Sequence, residues 1–141
     1  MIEIVSYDNV SGLKFGSSES DALNQFGAPE RIDDFRSSRE LCYPDFIVRI
    51  RKNSGVFDEF TLLPGCEAML NGHVISWDIE FLHHLARQGG DLKENVGFVV
   101  SEKLGISAAG LHQEDDVAIH AFARGTWDDL LKSMMPFSLP E

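Results

Sequence analysis

The sequence predicts an α+β fold, in which an antiparallel sheet of about six to eight strands carries two or three helices mainly on one face. Short segments such as 46–51 alternate apolar and polar residues, as half-buried strands do. Segments 19–26 and 79–86 instead place apolar residues at helical spacing, and glycines follow both. At 141 residues the chain has the length of one domain, spanning 1–141.

The first half opens with a weakly alternating segment, 1–5, which predicts a strand, and with turn residues over 6–15. Ser18 lies three residues before Asp21, a variant of the capping box that marks a helix start. The helix expected here is short and covers about 19–26.

A β-rich stretch follows the first helix. The clearest strands are 46–51 and 56–63, and turn residues at 53–55 between them predict an antiparallel hairpin. Shorter candidate strands lie at 31–35 and 40–43.

The second half repeats this order. Asp78 marks the start of a second helix, because the helix dipole favours anions there. Thr126 with Asp129 predicts the cap of a last short helix, 127–132, and 134–137 forms an apolar tail. Strands are expected at 74–75, 97–101, 104–108 and 117–124.

This order of elements suggests two copies of one helix-plus-meander unit that share a sheet, in halves 12–70 and 71–132. The alternative, a chain without internal duplication, stays open. The apolar faces of the expected elements predict a core that includes Leu23, Phe26, Val48, Ile50, Phe60, Leu62, Leu82, Leu85, Val99 and Ile119.

Charge limits the range of partners. The chain has 23 acidic and 12 basic residues, so its net charge is -11, and both halves are acidic. Phosphate backbones and anionic membranes repel such a surface, so we expect neither nucleic acid nor a membrane as a partner. A basic protein would be attracted, although acidity that serves only solubility stays open as an interpretation.

Catalytic and metal-binding motifs are not recognisable. Cys42 and Cys66 make neither a disulfide framework nor a metal motif, and no Gly-x-Ser-x-Gly or phosphate-binding glycine pattern occurs. Asp58 and Glu59 are neighbours in a strand and should therefore lie on opposite faces. We expect no enzyme, no cofactor and no metal. The start of the sequence has no signal-peptide pattern, which predicts a cytoplasmic protein.

Residues 16–29 carry a motif that resembles one found in a known protein superfamily. They resemble the helix motif of the β-lactamase-inhibitor-protein-like and small outer-membrane lipoprotein-like superfamily, in which a glycine, a capped amphipathic helix and a closing Gly-x-Pro follow one another. The resemblance implies a helix packed on an antiparallel sheet and a binding or inhibitory scaffold. In its acidic, cytosolic character the chain also resembles immunity proteins that neutralise bacterial toxins. The residues at matching places are Gly16, Ser18, Asp21, Ala22, Phe26, Gly27 and Pro29.

Three functional hypotheses follow. The first is a cytosolic protein-binding protein, an immunity or inhibitor protein that blocks a basic toxin or enzyme. The second is a non-catalytic scaffold or homodimeric housekeeping module, paired through an edge strand or the 134–137 tail. The third is a small metal-dependent enzyme that uses His112, Glu114 and Asp116. The candidate contacts for the first are acidic residues and one tryptophan, since tryptophan often anchors interfaces: Asp33, Asp34, Glu114, Asp115, Asp116, Trp127, Asp128 and Asp129.

Overall fold

The computed structural model describes residues 1–95, 97–111 and 117–139. These residues form an α+β structure with three helices and two sheets. The helices are α1 (Glu19–Phe26), α2 (Ile79–Gln88) and α3 (Asp128–Leu131). The strands are β1 (Ile2–Val5), β2 (Asn9–Val10), β3 (Leu13–Lys14), β4 (Arg31–Asp34), β5 (Ser38–Cys42), β6 (Phe46–Arg51), β7 (Val56–Leu62), β8 (Ala68–Leu70), β9 (His73–Val74), β10 (Leu92–Asn95), β11 (Phe98–Ser101), β12 (Ile106–Ala109), β13 (Ala118–Phe122) and β14 (Met135–Phe137).

The larger sheet has nine strands in the order β14-β10-β11-β12-β13-β7-β6-β5-β4. It contains two four-stranded antiparallel meanders, β4 to β7 and β10 to β13, and each follows a helix along the chain. The meanders join where β7 pairs with β13, with Phe60 opposite Ala121. The order of one helix and four strands therefore occurs twice, while a common origin of the two halves stays a prediction.

The smaller sheet has five strands in the order β3-β2-β1-β8-β9. Its central pair, β1 with β8, is parallel, whereas its other pairs are antiparallel. The expected single sheet of six to eight strands is therefore wrong in its number of strands. Several strands, such as β2 and β3, are only two residues long, and alternation cannot be recognised over so short a segment. They lie in the stretch that the sequence predicts as turns.

The main core lies on one face of the nine-stranded sheet, together with α1, α2 and the smaller sheet. Eight of the ten residues predicted for the core are fully buried there. The other two, Leu23 and Phe26 of α1, are half-buried and pack against this core. The ring of Phe26 meets that of Phe46 edge-on at 5.1 Å. The alternating apolar positions thus identify the buried face correctly.

Helix α1 begins and ends as its sequence predicts. The Ser18 hydroxyl accepts a hydrogen bond from the Asp21 amide at 3.1 Å, and the Asp21 carboxylate accepts one from the Ser18 amide at 3.3 Å. Such a capping box satisfies two amides that the helix leaves unpaired. Gly27 ends the helix with φ +82°, a conformation that favours glycine.

Helix α3 differs from the expectation in its start, and it lies on the opposite side of the sheet from α1 and α2. Trp127 occupies the N-cap without a side-chain hydrogen bond, so the predicted cap by Thr126 with Asp129 is wrong. Instead, the Thr126 hydroxyl donates to the carbonyl of Asp58 at 3.5 Å. Leu131 of this helix packs in a second hydrophobic cluster, on the face opposite the main core. Within the described ranges, no helix is long and apolar enough to cross a membrane.

Candidate binding site on the open face of the sheet

The face opposite the main core is covered over one half of the nine-stranded sheet. Val99 belongs to the main core and the adjacent Val100 to the second cluster, because neighbours in a strand alternate faces. Trp127 and Leu131 cover Val100 and Phe122 there. Over β4–β7 the described residues form no hydrophobic cluster on this face, and we call that surface the open face. Polar side chains of β6 and β7 lie on this face.

An ordered network of charges lies on the open face. Asp58 is only 4% exposed, and its carboxylate accepts two hydrogen bonds from Arg49, both at 3.0 Å. The Nε of Arg51 donates to the same carboxylate at 3.0 Å. Arg49 also reaches Glu59, with 3.6 Å between Nη1 and Oε2. Two arginines and two carboxylates thus hold one another in fixed positions.

The convergence of Asp58 and Glu59 corrects the expectation that they lie on opposite faces. Along the β6–β7 pair, Arg49 is opposite Glu59, but Ile50 is opposite Phe57. Asp58 is therefore the extra residue of a β-bulge, and a bulge changes the direction of side chains on its strand. Both carboxylates consequently contact Arg49.

Glu59 is also held by residues from the covered half of the same face. Its carboxylate is 8% exposed and accepts a hydrogen bond from the Trp127 indole at 2.6 Å. Burial raises the pKa of Glu59 above its usual value, although the nearby Arg49 guanidinium and the indole oppose this. The Nδ1 of His120 lies 2.9 Å from the Thr61 hydroxyl and 3.9 Å from Glu59 Oε2. Trp127, expected to anchor an interface, is thus buried against the site.

Two cavities adjoin at this network and share Arg49 and Thr126 as lining residues. We call them the basic cavity, of about 680 Å³, and the aromatic cavity, of about 350 Å³. The basic cavity is lined among others by Arg36, Ser38, Arg51, Lys52, Asn53 and Asp58. The aromatic cavity is lined among others by Glu59, Phe98, His120, Trp127, Leu130 and Met134. One cavity is therefore rich in cations and the other in apolar groups.

The predicted acids of β4 are already engaged in ion pairs. Asp33 accepts from Arg31 at 2.9 Å, and Asp34 pairs with Lys52. These hydrogen bonds lower the pKa of both carboxyls below their usual value. Strand β4 is separated from β7 by β5 and β6. Asp34 does not line the basic cavity, although its partner Lys52 does.

The remaining predicted contacts do not form one cluster with these acids. Asp128 and Asp129 lie at the start of α3, two and three residues after Thr126, and both are exposed. The Asp129 carboxylate is fully exposed and lies 3.6 Å from Lys132. Glu114, Asp115 and Asp116 lie outside the described residues, as does His112. Of the predicted acidic contacts that the structure describes, none lines the basic cavity.

The sequence interpretation missed the basic residues at the centre of the site. Six of the chain's 12 basic residues fall within 31–52, in a protein whose net charge is -11. This local excess was the available signal. The net charge of either half of the chain does not show this excess, because the acids in each half outnumber the bases. The basic cavity draws Arg36, Arg49, Arg51 and Lys52 from this segment.

His120 should make the stability of the protein depend on pH. Burial, with a smaller contribution from Arg49, lowers the pKa of His120 from 6.5 to about 4. The unfolded chain then binds the proton more tightly, so stability is complete above pH 6.5 and falls as the pH drops towards 4. As the pH decreases across this window, we expect the free energy of unfolding of the wild type to fall by about 3 kcal/mol relative to that of His120→Gln. Urea unfolding at pH 4, 5, 6 and 7 measures this difference.

Glu59 acts in the opposite direction and supplies the control for this measurement. Because the pKa of Glu59 is raised, the folded state holds the Glu59 proton more tightly than the unfolded chain does. The contribution of Glu59 to stability therefore decreases as the pH rises above the usual pKa of glutamate. Glu59→Gln should therefore steepen the gain in stability from pH 4 to 6.5, whereas His120→Gln should flatten or reverse it. Parallel profiles for wild type and His120→Gln would rule out a role for this imidazole.

Few features of the described residues point to redox or metal chemistry. Cys42 and Cys66 are free and buried, and burial raises the pKa of both thiols, so they are protonated at neutral pH. Among the residues that the structure describes, no group of three His, Cys, Asp or Glu side chains could hold a metal ion. Comparisons with protein-family models, curated proteins and solved structures find no match for this chain.

Proposed function

We propose that this protein binds another protein on the open face of its large sheet, as an inhibitor or immunity protein does. The observation that carries the proposal is the network of Arg49, Arg51, Asp58 and Glu59, which lies on an uncovered sheet surface beside two cavities.

The fixed geometry of the network favours recognition. Ordering a long side chain at an interface costs roughly 0.5–1.5 kcal/mol of binding free energy. Arg49 is already ordered before binding, since two hydrogen bonds hold it to Asp58. Its strand β6 is paired on both sides, so the backbone beneath it is rigid as well. A partner would therefore meet a surface that is arranged before binding.

The charge of the chain favours a basic partner. The net charge of -11 attracts a basic protein from a distance. At shorter range, Asp34 pairs with Lys52 of the basic cavity, and Asp128 and Asp129 follow Thr126, another lining residue, by two and three positions. We infer that the basic surface of the partner meets these acids and is positioned by them over the open face.

Reversing the charge at the start of α3 tests this proposal. The partner is first captured from the native host with the wild-type protein, washed at low and high salt, and identified by mass spectrometry. We expect Asp128→Lys/Asp129→Lys to slow its association about tenfold and to weaken the salt dependence. The association rate is measured by surface plasmon resonance.

The matched control is Glu67→Lys/Asp91→Lys. It makes the same change in net charge at two exposed residues outside the lining of both cavities. Equal slowing by the two double variants would mean that net charge alone attracts the partner and that the start of α3 is not part of the interface. Recovery of the bait alone would contradict the proposal as a whole.

A further inference from the structure

We propose that the basic and aromatic cavities together form a binding site for a small organic oxyanion, a phosphate or carboxylate attached to an aromatic or aliphatic group. This inference goes beyond the proposed function, because it requires no protein partner. It stands on the lining of the two cavities, on the side chains they share, and on the contacts that hold those side chains in place.

The basic cavity supplies the groups that recognise an oxyanion. Four cationic side chains line it, of which Lys52 is paired with Asp34, and Arg49 with Asp58 and Glu59. Arg51 uses Nε to bind Asp58, and within the described residues its two Nη groups have no other partner. Arg36 makes no ion pair in the described part of the chain. Guanidinium groups with free N–H donors bind phosphate and carboxylate in two-point geometry.

Two turns bring these cations together. Arg36 lies between β4 and β5, in a turn closed by the hydrogen bond from the Phe35 amide to the Ser38 carbonyl, at 2.8 Å. Lys52 follows β6, and its amide donates to the Ser37 carbonyl at 3.0 Å. The turns are thus tied at the same end of the sheet. Their hydroxyl and amide side chains add neutral donors to the cavity lining.

The aromatic cavity supplies a surface for an apolar group. Trp127 stacks on Phe122 at 5.2 Å and meets Phe98 edge-on at 5.8 Å, so its ring is fixed. Leu130, another lining residue, is 50% exposed and would lose contact with water on binding. A cavity of about 350 Å³ accepts one aromatic ring or a short aliphatic chain.

Arg49 and Thr126 join the two cavities and set the orientation of the ligand. Both residues line both cavities, so one molecule can occupy the two at once. The carboxylate of Glu59 lines the aromatic cavity and repels an anion there. The oxyanion therefore enters the basic cavity, while the apolar group extends over Trp127. The chain as a whole is negative, and only the cavity lining is cationic. Because salt screens the attraction between this lining and the oxyanion, salt should weaken binding.

The test uses calorimetric titration of the full chain with inorganic phosphate, phenyl phosphate and phenylacetate. We expect phenyl phosphate to bind at least about tenfold more tightly than inorganic phosphate, since only the former reaches both cavities. Phenylacetate distinguishes a preference for carboxylate from one for phosphate. No measurable binding of any of the three probes would overturn the proposal.

Variants connect the binding to the two cavities. Arg36→Gln/Arg51→Gln should weaken both phosphate probes about tenfold or more, whereas the control Arg87→Gln/Lys103→Gln removes the same charge from exposed residues outside the lining and should have little effect. Leu130→Ser should weaken phenyl phosphate and phenylacetate but not inorganic phosphate. Arg36→Gln alone changes an exposed residue, so it keeps the test valid if the double variant is unstable. Affinities that these substitutions leave unchanged would place the probes elsewhere.

The two proposals can fail separately. Asp128→Lys/Asp129→Lys should slow the protein partner but leave the affinity for phenyl phosphate within about threefold, because neither residue lines the basic or the aromatic cavity. Probe binding without any captured partner would remove the proposed function and keep the anion site. A captured partner without probe binding would remove the anion site and keep the proposed function.

Discussion

Replacing Trp127 by alanine should lower the free energy of unfolding by about 3–5 kcal/mol, the range for large aromatic residues in a core. The indole is 8% exposed and covers Phe122 on the face opposite the main core. Its removal exposes this second cluster and takes away the hydrogen bond to the buried Glu59 carboxylate. Urea unfolding followed by circular dichroism gives the change directly.

Trp127→Phe separates the two contributions. Phenylalanine keeps an aromatic ring over Phe122 but cannot donate to Glu59, so we expect a smaller loss, about 1–3 kcal/mol, from the unsatisfied carboxylate. Because Glu59 then holds its proton more tightly, the loss should be smallest at low pH. Equal losses for the alanine and phenylalanine variants would show that the ring contributes nothing to stability by packing.

The second large effect is expected for Asp58→Ala, which should cost about 3 kcal/mol of folding free energy. Asp58 is buried and accepts three hydrogen bonds, two from Arg49 and one from Arg51. Removing it leaves two guanidinium groups without this partner, and Arg49 is the less exposed of the two. Since both arginines are partly hydrated, the cost should fall at the lower end of the range for a broken buried ion pair.

Asp129→Ala is the matched control for this variant. Its carboxylate is fully exposed, so its removal should leave the stability almost unchanged. Adding Arg49→Met to Asp58→Ala should recover part of the loss, because an apolar side chain then replaces a charge left unpaired. A loss for Asp58→Ala as small as that for Asp129→Ala would show that the network does not support the fold.

The elements with local signals were the ones predictable from the sequence. Helix α1 was found at its observed bounds because Ser18, Asp21 and Gly27 specify both ends within the segment itself. The β6–β7 hairpin was found because apolar positions alternate along β6 and turn residues at 53–55 follow it. Strand β10, Leu-Lys-Glu-Asn, was missed because it is largely polar and only its pairing with β11 and β14 makes it a strand.

The site was less predictable, because it depends on contacts between distant parts of the chain. Glu59 and Trp127 are 68 residues apart, and nothing near either one indicates the hydrogen bond between them. The convergence of Asp58 with Glu59 depends on a bulge in the β6–β7 pair, which the alternation rule cannot reveal. Asp33-Asp34 and Asp128-Asp129 were visible as acidic doublets, but none of these four residues lines the basic cavity.

The ends of the nine-stranded sheet have a consequence for self-association. An end strand leaves backbone N–H and C=O groups free to pair with another chain. At one end, β14 is three residues long and contains Pro136, which has no N–H to donate. At the other end, β4 carries Arg31, Asp33 and Asp34, and charged end strands discourage aggregation. Both ends therefore oppose growth of the sheet by further copies, which argues against a homodimer formed by strand addition.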